Sequence, residues 1–65
     1  MRITYDSESD ILWIRLGSGG ISESDELESG VILDYDAEGH VVGLEIHQAS
    51  ARIENPRAIE FAVAK

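Results

Sequence analysis

The chain has 65 residues, 43% of them hydrophobic, with 13 acidic and 5 basic side chains, a formal net charge of −8 and no cysteine. Those figures exclude a second domain, disulfide staples and thiolate metal centres, and the excess negative charge works against binding a nucleic-acid backbone. No apolar run nears the roughly 18 residues of a membrane span and no basic-then-apolar leader is present, so the expectation is one cytoplasmic domain over residues 1–65.

From the N-terminus, Ile3 and Tyr5 alternate with Arg2, Thr4 and Asp6, the period-two pattern of a strand. Ile11 to Leu16 is rich in aromatic and β-branched residues, with Ile11 and Trp13 on one side and Leu12, Ile14 and Leu16 on the other. It reads as a central strand. The polar tip from Asp6 to Asp10 makes residues 2–16 a β-hairpin. Residues 17–30 are dense in Gly, Ser and carboxylates, with Ile21 and Leu27 as apolar anchors. They read as a long connection in which Ser22 or Ser24 caps a short helical turn over Asp25 to Glu28.

Val31, Leu33 and Tyr35 then alternate with Asp34 and Asp36, and Val42, Leu44 and Ile46 share the expected buried face of the next strand, opposite Gly43, Glu45 and His47. Between them, Asp36-Ala37-Glu38-Gly39 has the form of a turn closed by a left-handed Gly39, giving a second hairpin over 31–47. Ala49 to Ile53 carries helix formers for one or two turns. Beyond Asn55-Pro56, the alternation of Ile59, Phe61 and Val63 favours a fifth strand, with a helix starting at Pro56 as the competing assignment.

An offset of 30 residues lays Ile3-Thr4-Tyr5-Asp6 on Leu33-Asp34-Tyr35-Asp36, and Ile11, Leu12, Ile14 and Leu16 on Val41, Val42, Leu44 and Ile46. The two hairpins are copies of one another. The position of Gly39 is held by Ser9 in the first copy, so that hairpin is expected to use a different or less rigid turn. The predicted fold is mainly β, α+β at most: two repeated antiparallel hairpins in one sheet, a short helical turn, and a C-terminal strand or helix.

The segments from Ile3 to Leu16, Ser22 to Leu27, Gly30 to Gly39 and Val42 to Ile46, in this order and spacing, resemble a family of small prokaryotic proteins catalogued as domain of unknown function 2283. The resemblance covers residues 2 to 50. It implies a short single-domain chain with no assigned catalytic residues, in a family some of whose members are suspected antitoxins.

Asp6, Glu8 and Asp10 have the opening spacing of a calcium loop, but Ile11 and Gly17 stand where its glycine and bidentate acid belong. Solvated turns explain these acids, and equally Asp36, Glu38 and His40 in the second hairpin, so no metal site or cofactor is assigned. Gly17-Ser18-Gly19-Gly20 lacks the Lys-Ser or Lys-Thr pair of a phosphate loop and is followed by Glu23, which repels phosphate. His40, His47 and Ser50 have the residue types of a hydrolytic triad without a spacing that brings them together. No catalytic residue is assigned, and the chain is not expected to be an enzyme.

Two features remain. Asp25, Glu26 and Glu28 form an acidic display suited to a basic protein partner, an antitoxin-like role, or else simply keep the chain soluble. The alternative function is a metal-binding protein or cation-dependent enzyme using the hairpin-tip carboxylates. Trp13 and Ile11 lie on a strand that is apolar on both faces, more than so short a chain covers, which predicts a homodimer or higher homo-oligomer with this strand near the interface.

Overall fold

A computed structural model describes residues 1–65. Strands β1 (Arg2–Asp6), β2 (Ile11–Arg15), β3 (Glu23–Glu28), β4 (Val31–Tyr35) and β5 (Val41–His47) form one sheet in the order β1-β2-β5-β4-β3, and helix α1 (Ala49–Arg52) follows. Every neighbouring pair is antiparallel. Both predicted hairpins are present, with their tips at 6–10 and 36–40 as read from the alternation.

The hairpins join through β2 and β5. Ile14 pairs with Leu44, its own equivalent in the repeat, while Trp13 pairs with Glu45 and Arg15 with Gly43. The two copies are therefore related by a pseudo-twofold axis through the Ile14–Leu44 pair. The predicted asymmetry at the turns is also present. Gly39 is left-handed (φ 85°) and its N–H donates to the Asp36 carbonyl at 3.1 Å, whereas in the first hairpin Ser9 is not left-handed and Asp10 is (φ 57°).

The register sorts side chains onto two unlike faces. One carries the rows Ile3–Ile14–Leu44–Leu33 and Tyr5–Leu12–Ile46–Val31. The other carries Thr4–Trp13–Glu45–Ile32 and Arg2–Arg15–Gly43–Asp34, with Ser24 beside Asp34. No second sheet and no helix longer than α1 is present to cover either face. Leu12, 5% exposed, and Ala49, fully enclosed, are the only buried apolar residues, and the face of Val42, Leu44 and Ile46 is half-buried rather than buried as expected.

Three local expectations are corrected. Residues 23–28 are a strand, not a helical turn, because pairing Glu23 with Tyr35 and Ser24 with Asp34 satisfies backbone groups that an isolated turn of helix would leave open. Ile21 and Leu27 do not anchor that segment: both are exposed, Leu27 at a register shift between Glu26 and Glu28. The fifth strand is thus β3, and the stretch holding Ile59, Phe61 and Val63 is neither strand nor helix: it pairs with neither edge of the sheet, β1 or β3. The short helix expected from Ala49 is present. No helix is long and apolar enough to cross a membrane.

Gly43 is buried at the centre of β5 because a Cβ there would stand 3.1 Å from the Ile14 carbonyl oxygen and 3.2 Å from Asp34 Oδ2. Gly43→Ala should lower stability by about 1 kcal/mol or more, as a tight contact with backbone does not relax freely. Leu12→Ala should cost about 2–4 kcal/mol, much of the stability of so small a domain. Urea unfolding followed by Trp13 fluorescence measures both.

Candidate functional site

Strand β3 is the outer edge of the sheet, and all six of its residues are exposed. Its acids lie along a free strand edge, where unpaired backbone groups also face outward. Of the three predicted partner-binding residues, Asp25 makes no ion pair, Glu26 accepts the Gly30 N–H at 3.2 Å, and Glu28 pairs with Arg52 at 3.1 Å. That last contact ties the end of β3 to α1, with Arg52 also donating to the Ser29 carbonyl. Two open concavities flank this edge, one lined by Glu23, Ser24, Asp25, Tyr35 and Gly39, the other by residues of 20–22 and 36–38.

The face bearing Trp13 holds a polar network that alternation alone did not reveal. Asp34 is 1% exposed, and Ser24 donates its hydroxyl to Asp34 Oδ1 at 2.6 Å. Glu45, the cross-strand partner of both Trp13 and Ile32, lies next to it, with His47 Nε2 at 3.4 Å from Glu45 Oε1. Burial, and then the adjacent Asp34 carboxylate, push the Glu45 pKa up. The legible signal was a glycine inside a strand, Gly43, which marks the close approach of another group. Trp13 and Ile11 are half-buried on this face.

At the other end of the sheet, left-handed Asp10 holds the chain together across a separation of 40 residues. Its carboxylate accepts the Tyr5 hydroxyl at 2.7 Å, the Ser50 N–H at 3.0 Å and the Ser50 hydroxyl at 2.6 Å. Its carbonyl accepts the Ala49 N–H at 2.9 Å. Ser50 is thereby engaged by an acid and not by a histidine. His47 sits on the polar face and His40 at the far tip of β5, so the structure does not assemble the triad types.

In the second hairpin, ligand atoms of Asp36, Glu38 and His40 lie within 4.8 Å of one another. Asp36 Oδ1 accepts the Glu38 and His40 N–H groups, each at 2.9 Å, and His40 Nδ1 stands 3.6 Å from Asp36 Oδ2. Asp6 repeats the pattern by accepting the Glu8 N–H at 2.9 Å. These bonds are what a tight polar turn requires, and they occupy one carboxylate oxygen at each tip.

A family model described as a protein of unknown function (DUF2283) matches residues 2–50. No curated protein and no solved structure matches the chain.

The Ser50 and Tyr5 hydroxyls hold the Asp10 carboxyl below its ordinary 3.8, and turn amides do the same for Asp6 and Asp36. Because the folded values lie below the unfolded ones, this stabilisation is present above pH 3.8 and lost as the pH falls through the folded values. Glu45 has the opposite sign: raised from 4.5, it lowers stability as the pH rises through and above that value. Asp10→Asn should therefore flatten the acid limb of a stability–pH profile, and Glu45→Gln should remove a loss above it. Thermal unfolding between pH 2 and 7 checks both.

Proposed function

The chain belongs to the DUF2283 family, and from its own surface we propose that it is a non-catalytic protein-binding module of the cytoplasm, which self-associates through the sheet and presents its acidic edge to a basic protein in the manner of an antitoxin. The observation that carries this reading is β3: an entirely exposed edge strand bearing Glu23, Asp25, Glu26 and Glu28. A basic extended segment finds there both carboxylates for its Lys and Arg side chains and open backbone groups for its main chain. Self-association through β2 is supported by that strand's two apolar faces, Ile11 and Trp13 on one and Leu12 and Ile14 on the other, with Leu16 just beyond its end.

The convergence of Asp36, Glu38 and His40 favours a second reading, cation binding at the hairpin tip. Calorimetric titration with zinc and manganese separates the two: micromolar binding abolished by His40→Ala supports the second, and heats of dilution alone dismiss it.

For the first reading, the product of the adjacent gene should co-purify with this chain, and association should slow with added salt, since the Debye length of about 8 Å at physiological ionic strength screens exposed charges. Replacing Asp25 with Asn and Glu26 and Glu28 with Gln together should reduce the association rate on the order of tenfold while moving the melting temperature little. Unchanged kinetics across salt, measured by stopped flow, would leave the edge a merely solvated surface.

A further inference from the structure

We propose that the apolar face of the sheet is closed by a second copy of this chain, the two sheets stacked face to face, with the C-terminal segment 57–65 of each copy laid into the interface by Ile59, Phe61 and Val63. The proposal rests on the self-association reading above and names the face and the segment that perform it.

The face is apolar in both of its central rows, from Ile3 to Leu33 and from Tyr5 to Val31, and none of the 13 acids projects from it on β1, β2, β5 or β4. Eleven of the acids lie at the tips, on the other face or along the edge strand β3, where Asp25 and Glu28 stand opposite Leu33 and Val31 at the margin of this face, and the remaining two, Glu54 and Glu60, lie in the chain after α1. Two copies carrying −8 each can thus meet here with their carboxylates at the rim. Ile3 and Leu16 are exposed on this face, and only Leu12 is buried.

The area has the right size. The accessible surface is 4915 Å², against about 4,100 Å² for a compact chain of this mass. The excess, roughly 800 Å², is about what one partner buries in a standard interface. The radius of gyration is 12.5 Å, against about 11 Å for a compact domain of this length. The chain has the surface of something folded against a partner.

The C-terminal segment explains part of that excess. The Arg57 guanidinium lies over the Tyr5 ring, 5.8 Å from its centroid, which fixes the start of the segment at one corner of the apolar face. From there Ile59, Phe61 and Val63 stand 54%, 76% and 75% exposed, at strand spacing. Nine extended residues reach about 30 Å, whereas crossing five strands takes only about 19 Å. Three side chains folded back on their own sheet would leave most of it bare. A second sheet with a second segment supplies a matching layer.

The test is the mass of the full chain by light scattering and sedimentation, for the wild type, Leu44→Lys, a double Ile59→Glu/Phe61→Glu variant, and Trp13→Lys on the opposite face. The double variant alters only exposed side chains, so it leaves each protomer folded even if circular dichroism shows that Leu44→Lys does not. The expected result is a wild-type dimer weakened tenfold or more by Leu44→Lys and by the double variant, the order of factor that losing a buried large apolar side chain produces, and not by Trp13→Lys. A monomeric wild type at high micromolar concentration overturns both this proposal and the self-association reading. A dimer broken only by Trp13→Lys overturns this proposal and leaves that reading standing. A dimer weakened by Leu44→Lys but not by the double variant overturns the role of the C-terminal segment.

Discussion

The antiparallel pairing of β2 with β5 is the constraint from which the rest of the molecule follows. A lone hairpin is at best marginally stable in water. Setting two copies of one hairpin against each other, with Ile14 opposite Leu44 at the pseudo-twofold position, gives a four-stranded apolar row that neither has alone. The same register puts Gly43 opposite Arg15 on β2 and Asp34 on β4, which is the space in which a carboxylate can be buried without meeting a side chain from β5. Shifting that pairing by one residue would turn the apolar groups of one hairpin to the opposite face from those of the other.

The repeat is broken where the structure needs a connection. Gly39 closes the second hairpin in open space, while the corresponding turn moves its left-handed residue to Asp10, whose carboxylate and carbonyl then anchor Ser50 and Ala49. A glycine there would keep the carbonyl bond but lose the three that the carboxylate accepts. The first turn, unlike the second, is therefore a point at which the chain after β5 is fixed to the sheet. Arg52, reaching the Ser29 carbonyl and Glu28, fixes the same helix to the other hairpin.

Charge and apolar surface are segregated to an unusual degree for so short a chain. Eleven of the thirteen carboxylates occupy the tips, the β3 edge and the Trp13 face, and the face of Leu44 carries none on β1, β2, β5 or β4. An edge strand lined with acids resists pairing with another copy of itself through like-charge repulsion, which guards against edge-to-edge growth. The apolar face has no such guard. It is therefore the surface on which self-association is least opposed, and the acidic edge the one best suited to a partner of opposite charge.

The two hairpins, their tips, the repeat and the left-handed Gly39 were legible in the residues, because a period of two and the backbone freedom of glycine are local properties. So was the acidity of 23–28, but not its conformation. ESDELE carries no alternation of apolar residues, and only the partner strand β4, with Tyr35 and Asp34 opposite Glu23 and Ser24, makes it a strand. Asp34 and Glu45 were legible as polar positions on alternating strands, yet their meeting depends on which strand lies beside which. For Ile59, Phe61 and Val63 the sequence showed the alternation of a strand, but in the tertiary structure the segment pairs with neither sheet edge. Local pattern determines what a segment is able to become. Hydrogen-bond partners, supplied only by the assembled sheet, decide what it does become.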